Sequence, residues 1–321
     1  MKKAIFVLLI LGICLLLLGG GIFAVAMAKN DWDFSKISNV TYEEKTFEAD
    51  ASAVSKIVVN ADTDDISLAY SEDEKIHILY YDKFDKKGRE IKVYDPVLTD
   101  GTLTLSGNRF RWWRVGLSFG KGKTFVISVP AGKTIALSLD TDTGDVFVGK
   151  ESEARVFSEL NLKTDTGSLK LNGEITVEQN ASFKVDTGDI RISGKLTVAN
   201  ELKAETDTGK IAISAAVDAK KITLKTDTGD IKISGVMTAP SISCKTDTGD
   251  VVATAALTSP SITVKSDTGD VRLLLAGKKE DYSCSLSTDT GSTSPSSYTQ
   301  GDKRVDVDVD TGDIRLTFTE Q

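Results

Sequence analysis

Hydrophobic and polar positions alternate in a pattern that repeats along most of the chain. In each copy, two apolar residues stand five and three positions before an Asp-Thr-Gly triplet, as Ile222 and Leu224 do before Asp227. The alternation resumes after the triplet, as at Ile231 and Ile233. A period of two is typical of a strand that is buried on one face. Each copy is therefore predicted to form a strand, a tight turn and a second strand.

The Asp-Thr-Gly triplet occurs nine times at a nearly constant spacing of about 20 residues, which is typical of a repeat architecture. The first and last residues of the triplets are Asp142, Gly144, Asp165, Gly167, Asp186, Gly188, Asp207, Gly209, Asp227, Gly229, Asp247, Gly249, Asp267, Gly269, Asp289, Gly291, Asp310 and Gly312. A weaker third apolar cluster follows several copies, as at Ile175 and Val177. These features predict an all-β, right-handed parallel β-solenoid (β-helix), whose coils bury their inward residues by stacking.

The triplet residues are predicted to have a structural role in the turn. The Asp carboxylate is expected to accept a hydrogen bond from a backbone N–H two residues on, and the Gly to supply a positive φ. A β-hairpin with Thr-Gly as its two-residue loop is the alternative geometry. The near-constant period and the third strand favour the solenoid.

The N-terminus carries a candidate membrane segment. Two lysines at positions 2 and 3 precede an uncharged run from Ala4 to Ala28, which is long enough to span a bilayer as a helix. The lysines would keep the N-terminus in the cytoplasm, so a single-pass anchor with an extracytoplasmic body is predicted. Alternatively, Ala26-Met27-Ala28 resembles a signal-peptidase site, and cleavage near Ala28 would release the protein. A lipoprotein anchor at Cys14 is less favoured, because Ile13 precedes it.

The rest of the chain divides by regularity. Residues 29–54 are acidic and polar and are predicted to be a linker. Residues 55–130 are predicted to form an N-terminal cap with the first irregular coils, including a degenerate repeat in which Asp64 replaces the turn glycine. Residues 131–321 are predicted to be regular solenoid, although Thr293 and Pro295 occupy places where the eighth copy should have inward apolar residues.

Composition and charge limit the classes of partner that the chain is expected to bind. The 321 residues are 40% hydrophobic and 27% charged, with a net charge of -8. No basic stripe is present, so nucleic acid is not an expected partner. Cys244 and Cys284 fall on inward positions two coils apart, about 10 Å at the strand spacing, which is too far for a disulfide. Both are predicted to be free, buried thiols.

No cofactor, metal or catalytic residue is predicted. Asp-Thr-Gly is also the aspartic protease triplet, but that enzyme needs two copies on facing lobes and not nine in series. In six of the nine copies an aspartate stands three positions past the triplet Asp, as Asp230 and Asp250 do, and such a column of carboxylates could collect Ca²⁺. The favoured interpretation is that these carboxylates cap turns beside neutralising lysines. His77, the single histidine, is expected to point outward into solvent.

One basic and aromatic cluster is the candidate contact surface. Its residues are Arg109, Phe110, Arg111, Trp112, Trp113 and Arg114. Trp and Arg are enriched at binding hot spots and at membrane interfaces. The alternative is a loop that covers the open end of the stack.

The lysine-led apolar span, the strand from Phe125 to Pro130 and the Thr-Asp-Thr-Gly-Asp repeats resemble the bacterial putative adhesin family of unknown function with β-strand repeats. The resemblance covers most of residues 55–321. It implies a surface-exposed solenoid without known catalytic residues, and it links some relatives to envelope-stress signalling. The predicted function is a non-catalytic, extracytoplasmic, adhesin-like interaction module. Its N-terminal helix would contact the membrane, and its partner would be a surface polymer or a protein. The alternatives are an envelope-stress signalling accessory protein and, by fold analogy alone, a polysaccharide-active β-helix enzyme.

Overall fold

The computed structural model describes residues 28–29, 40–107, 122–150 and 153–320. The fold is an all-β solenoid of the right-handed type, with about nine turns and coils of about 21 residues. Strands before and after the Asp-Thr-Gly turns pair in parallel with their counterparts in neighbouring coils, so the solenoid is confirmed over the hairpin. Among the described residues, no helix has the length and apolar character needed to cross a bilayer. Residues 1–27, which contain nearly all of the predicted anchor, lie outside the described residues.

Eight strands precede the regular repeats, with one short 3₁₀ helix at Ala51–Ala53. They are β1 (Val40–Asp50), β2 (Lys56–Ala61), β3 (Asp65–Ser71), β4 (Lys75–Asp85), β5 (Glu90–Lys92), β6 (Tyr94–Thr99), β7 (Thr102–Gly107) and β8 (Thr124–Pro130). Strand β1 occupies residues that the sequence assigned to a linker. Ala49 is the only buried residue of β1, and the apolar alternation at Val40 and Tyr42 and again at Phe47 and Ala49 is interrupted by three charged residues, so the sequence did not indicate one continuous strand.

The repeats contain twenty strands and a second 3₁₀ helix, Lys279–Asp281. The strands are β9 (Ile135–Thr143), β10 (Val146–Val148), β11 (Ala154–Thr166), β12 (Leu169–Leu171), β13 (Glu174–Val177), β14 (Ala181–Thr187), β15 (Ile190–Ile192), β16 (Leu196–Thr208), β17 (Ile211–Ile213), β18 (Val217–Thr228), β19 (Ile231–Ile233), β20 (Met237–Thr238), β21 (Ser241–Thr248), β22 (Val251–Thr258), β23 (Ser261–Thr268), β24 (Val271–Leu275), β25 (Tyr282–Thr290), β26 (Thr293–Ser294), β27 (Lys303–Thr311) and β28 (Ile314–Phe318).

Two long parallel sheets meet at the Asp-Thr-Gly corners. The main sheet contains the strands before each corner, in the spatial order β7, β2, β9, β11, β14, β16, β18, β21, β23, β27, β25. The second sheet contains the strands after each corner, in the order β8, β3, β10, β12, β15, β17, β19, β22, β24, β28, β26. A shorter third side, which includes β13 and β20, completes the coil as the weak apolar clusters predicted.

The core consists of apolar columns that run along the stack, one residue from each coil. In one column of the main sheet, no member is more than 3% exposed. Its members are Leu103, Ile57, Leu137, Leu160, Ala181, Leu202, Ile222, Ile242, Ile262, Val305 and Cys284. Burying one Leu or Ile side chain contributes about 1.5–3 kcal/mol, so the columns supply the main stabilising term.

The coils do not stack in chain order at either end. Near the N-terminus, β2 lies between β7 and β9, although four strands separate β2 from β7 in the chain. Near the C-terminus, β27 lies between β23 and β25. The coils are therefore not strictly sequential, and the sequential stacking assumed in placing Cys244 and Cys284 two coils apart is wrong at the C-terminal end. The reason is that all repeats carry the same inward pattern and the same strand edges, so sequence order alone does not determine which repeats become neighbours.

Both ends of the main sheet carry antiparallel chain segments. Strand β6 pairs with β7 through a two-residue turn in which Asp100 and Gly101 have φ values of 50° and 74°. At the other end, Tyr298 exchanges two backbone hydrogen bonds of 2.8 and 2.9 Å with Cys284 in β25. The polar insertion in the eighth copy thus forms an end cap. Such caps cover strand edges that would otherwise present unpaired backbone groups.

The two departures from the repeat pattern are accommodated in different ways. Asp64 is fully buried at the corner, and its Oδ1 accepts a hydrogen bond of 3.2 Å from the backbone N–H of Lys123. In the eighth copy, the second-sheet strand shrinks to the two residues of β26, in which Thr293 pairs with Ile314. The coil therefore continues at both places.

The two described cysteines are free and buried, as predicted. They lie three coils apart and not two, because β27 separates β23 from β25. Burial raises the pKa of Cys244 to about 12. The pKa of Cys284 is also raised, chiefly by burial.

Residues 1–44, 81–93 and 108–121 group into a unit separate from the rest of the chain. Within its described part, β4 and β5 form a hairpin whose turn is capped by Asp85. The Asp85 carboxylate accepts 2.9 Å hydrogen bonds from the backbone N–H groups of Lys87 and Arg89, and it pairs with the Arg89 guanidinium at 2.6 Å. The hydroxyl of Tyr81 donates to Glu44 at 3.0 Å.

Candidate functional site

The corner glycines are required by two features of the backbone. Gly229 has φ +145°, and a Cβ added there would lie 1.9 Å from the carbonyl oxygen of Gly209 in the neighbouring coil. An L-residue would therefore be strained in conformation and would also collide with backbone. This close approach brings successive corners into direct contact, so each corner can interact with the next.

Where the residue before the triplet is Thr or Ser, its hydroxyl forms a ladder of hydrogen bonds between coils. Thr226 is fully buried, and its hydroxyl donates to the carbonyl oxygen of Gly209 at 3.0 Å. Thr246 makes the same contact with Gly229 at 3.1 Å. The further donor and acceptor pairs are Thr164 with Gly144, Thr206 with Gly188, Ser266 with Gly249, and Thr288 with Gly312. The repeated contact gives the glycine carbonyl oxygen on the buried side of each of these corners a hydrogen-bond donor.

The second aspartate of the corner caps a neighbouring coil. The Oδ1 atom of Asp250 accepts a hydrogen bond of 2.9 Å from the backbone N–H of Asp270. Equivalent contacts join Asp65 to Asp145, Asp145 to Ser168, Asp189 to Lys210, Asp230 to Asp250, Asp270 to Asp313, and Asp313 to Ser292. These carboxylates therefore act as turn caps between coils, in line with the favoured structural interpretation.

The first aspartate has a different partner from the one predicted. The carboxylates of Asp165 and Asp227 lie 2.8 and 2.9 Å from the Nζ atoms of Lys163 and Lys225, two residues earlier on the same strand. In these two coils, a lysine contact thus replaces the predicted bond from a backbone N–H within the same turn. The sequence contained these lysines, but it did not distinguish which of the two aspartates would cap.

Ion pairs also follow the outer side of the second sheet. Asp230 lies 3.0 Å from Lys232 and 3.7 Å from Lys210. Partial burial of Asp230 favours its neutral form, but the Lys232 contact and the backbone N–H of Asp250 outweigh it, so the pKa of Asp230 is below its ordinary value. Lysine side chains therefore offset the negative charge of Asp230 on the outer side of the second sheet.

The outward residues of β18, β21 and β23, together with the exposed threonines at the corners, form what we call the outward face. The strand residues are Lys221, Thr223, Lys225, Ser241, Ser243, Lys245, Ser261, Thr263 and Lys265, in register across the three strands. The corner threonines are Thr143, Thr166, Thr187, Thr208, Thr228, Thr248, Thr268, Thr311 and Thr290, in spatial order. All nine are exposed. An exposed threonine thus recurs at each of these nine corners, and hydroxyl and lysine side chains recur across β18, β21 and β23.

His77 points outward between the buried Ile76 and Ile78, as expected, and it also contacts a cluster of charged side chains. Its Nε2 is 2.8 Å from Asp73 Oδ1, and its Nδ1 is 3.5 Å from Glu48. Glu48 also pairs with Lys75 at 3.0 Å. The hydrogen bond with His77, supported by the backbone N–H of Lys75, holds the pKa of Asp73 well below its ordinary value. In the part of the chain that the structure describes, no group of three or more His, Cys, Asp or Glu side chains is placed to hold a metal ion.

Shallow grooves lie near the ends of the stack. One of about 650 Å³ is lined by residues that include Asp50, Asp73 and Lys133. Another, of about 470 Å³, lies beside the C-terminal cap, where Tyr298 and Arg304 contribute to its wall. The predicted contact cluster from Arg109 to Arg114 lies outside the described residues.

Solved structures align with most of this chain at low sequence identity. A putative adhesin from Bacteroides fragilis is 12% identical, with 86% of this chain and 97% of that chain covered and a TM-score of 0.38. A putative adhesin from Parabacteroides merdae is 11% identical, with 88% and 96% covered and a TM-score of 0.42. A protein named as a putative lipid binding protein from Parabacteroides distasonis is 12% identical, with 87% and 97% covered and a TM-score of 0.35. Likeness at this level carries no argument about function.

No curated protein sequence matches the chain. A family model described as Toastrack DUF4097 matches residues 54–318, which include all nine Asp-Thr-Gly corners and both sheets of the solenoid. The chain therefore belongs to the Toastrack DUF4097 family.

Proposed function

We propose that this protein is a non-catalytic, adhesin-like interaction module of the cell envelope. An N-terminal segment would hold it at the membrane, and the outward face would contact a surface polymer or protein. The observation that carries the proposal is the in-register repetition of half-buried hydroxyl side chains and more exposed lysines across β18, β21 and β23, beside the exposed corner threonines. Neighbouring strands are about 4.8 Å apart, so a hydroxyl and a lysine recur at that interval across β18, β21 and β23.

This arrangement separates stability from recognition. The inward columns and the corner ladders hold the coils together, whereas the outward residues are not needed for packing. An extended partner lying along the stack could therefore make a similar weak contact at each coil. Contacts of this kind combine through effective concentration, and the total affinity can be far greater than that of one contact.

The test is binding of the full chain, displayed on cells, to cell-wall polysaccharide and to envelope proteins from a related strain. The variant Thr223→Glu/Thr263→Glu adds two charges to the outward face. The matched control, Ala212→Glu/Val252→Glu, adds two charges to outward positions of the second sheet. Loss of binding in the first variant, with retention in the control, is the expected result. Equal binding by both variants and the wild type would refute the outward face as the contact site.

The sequence also nominates the aromatic cluster, so a third variant is needed. Trp112→Ala/Trp113→Ala removes both tryptophans without touching the outward face. If only this variant loses binding, the aromatic cluster is the contact site. The proposed interaction function then stands, but the outward face is not its site. If the wild type captures neither polymer nor protein, the adhesin-like function is wrong.

A further inference from the structure

A groove beside the C-terminal cap lies at the end of the outward face. Its volume is about 470 Å³, within the range of about 300–1,000 Å³ that is typical of small-molecule sites. Strand β25 forms the floor, with β27 along one edge of it and residues 295–302 along the other. We call this the C-terminal groove, and its polar lining residues are Ser283, Ser285, Thr299, Asp302, Arg304 and Asp306.

The C-terminal groove continues a line of outward residues across neighbouring coils. In register, the line contains Thr223, Ser243, Thr263, Asp306 and Ser285. Five adjacent strands at about 4.8 Å place the two ends of this line about 19 Å apart. The line is uncharged over β18, β21 and β23 and meets its first charge at Asp306, where the groove begins. A chain molecule that lies along the outward face therefore reaches the groove directly.

The groups in the groove have hydrogen-bonding capacity that the protein does not use. The side chains of Ser285, Thr299 and Asp302 line the groove and make no hydrogen bond or ion pair with any described residue. Arg304 donates from Nε to Asp306 Oδ2 at 2.7 Å. Among the described residues, this bond leaves the two terminal nitrogens of Arg304 and the other oxygen of Asp306 without a partner. The groove can therefore offer both donors and acceptors to a ligand.

This combination of groups fits a neutral sugar. The carboxylates of Asp302 and Asp306 only accept hydrogen bonds, and the Arg304 guanidinium only donates them, whereas each hydroxyl of a sugar ring does both. An anionic polymer would face two carboxylates and one guanidinium that is already paired, so repulsion disfavours it. No Val, Leu, Ile, Phe or Trp from the described part of the chain lines the groove, so it lacks the apolar pocket that usually holds a protein partner's anchor residue.

We propose that the C-terminal groove binds one neutral sugar unit of a surface polysaccharide. This inference rests on the interaction function proposed above, and it specifies the class of polymer and the place where one of its units is held. The short side chain of Ser285 leaves room for the sugar ring on the floor, and Asp302, Asp306 and Arg304 orient it from the sides. The rest of the polymer lies along the outward face, where its weak contacts add to the affinity of the groove.

The experiment measures binding of labelled glycans to cells that display the full chain. The neutral probes are dextran, mannan and chitin oligomers, and the anionic probe is polygalacturonate. Ser285→Gln fills the floor of the groove without adding charge, and Asp302→Ala removes one acceptor. Ser287→Gln is the matched control, because Ser287 is an exposed outward residue of the same strand and does not line the groove. Thermal unfolding checks that each variant is folded.

We expect the wild type to bind a neutral glycan in preference to polygalacturonate. Asp302→Ala should weaken this binding about tenfold, the effect of losing a hydrogen bond to a charged group. Ser285→Gln should weaken it at least as much, and Ser287→Gln should bind as the wild type does. If Ser285→Gln melts below the wild type, Asp302→Ala decides the result.

Equal binding by the wild type and both groove variants would overturn the groove as the sugar site, and a preference for polygalacturonate would overturn the ligand class. If no glycan binds while the displayed chain still captures an envelope protein, the sugar site is wrong and the interaction function stands. If the chain captures neither glycan nor protein, both are wrong.

Discussion

The hydroxyl of Thr288 donates a 2.9 Å hydrogen bond to the carbonyl oxygen of Gly312, which follows it by 24 residues in the chain. In the middle of the solenoid the same donor reaches backward, as from Thr226 to Gly209. The reversed direction is a local signature of the reordered C-terminal coils. It shows that a corner bonds to whichever coil is its neighbour in space, without regard to sequence order.

Replacing a corner glycine should destabilise the solenoid strongly. For Gly229→Ala we expect a loss of about 3 kcal/mol or more, because conformational strain of about 1–3 kcal/mol adds to the collision with Gly209. The measurement is the free energy of unfolding in urea. Gly132→Ala is the matched control, since Gly132 has φ +77° but nothing within 4 Å of an added Cβ. It should lose only about 1–2 kcal/mol, and an equal loss in both variants would contradict the role of close packing at the corner.

The buried hydroxyl ladder should contribute a measurable part of the stability. Thr226→Val removes the donor to Gly209 while keeping the side-chain shape, and we expect a loss of about 1 kcal/mol. Val185 and Val309 occupy the equivalent position in other coils, so valine fits there sterically. Thr228→Val changes an exposed threonine on the same strand and should have almost no effect. Thermal unfolding of both variants checks this, and identical melting temperatures would argue against the ladder.

Acid should weaken the cluster around His77. The pKa of Asp73 is depressed in the folded protein, first by the hydrogen bond with His77. A depressed carboxylate pKa stabilises the fold above the unfolded value, near 4, and this contribution is lost as pH falls through the folded pKa. Melting temperature measured from pH 6 to pH 2 should therefore fall less steeply for Asp73→Asn than for the wild type.

Asp95→Asn serves as the control for that titration, because the Asp95 carboxylate makes no hydrogen bond or ion pair with the described residues. Its melting curve should follow the wild type at every pH. If Asp73→Asn and the wild type lose stability in parallel, the cluster does not contribute to the acid response.

The two buried thiols should resist modification in the folded state. Burial raises the pKa of Cys244 to about 12, so almost no thiolate is present at neutral pH. In a Cys14→Ser background, a thiol reagent should label neither Cys244 nor Cys284 until the protein unfolds. Mass spectrometry before and after urea treatment checks this. Rapid labelling of Cys284 in native protein would show that the C-terminal cap opens.

The sequence by itself determined the repeating coil. Period-two alternation beside a turn residue is a local property, and each coil meets neighbours with the same pattern, so inward residues such as Ile222 and Ile231 could be assigned without knowing which coil lay next to them. The glycine corners and the free cysteines followed from the same argument. The short third side was also visible, because its apolar residues are buried in the same way.

Only the tertiary structure decided the order of coils at the two ends. Every repeat presents the same strand edges and the same inward columns, so nothing local in β25 or β27 shows which of them contacts β23. The tertiary structure also decided which of the two corner aspartates accepts a backbone hydrogen bond. Asp250 accepts its bond from the N–H of Asp270, which belongs to another coil. The partners of His77 were hidden for a related reason: Glu48 is 29 residues away, on a strand with almost no buried residues to reveal it.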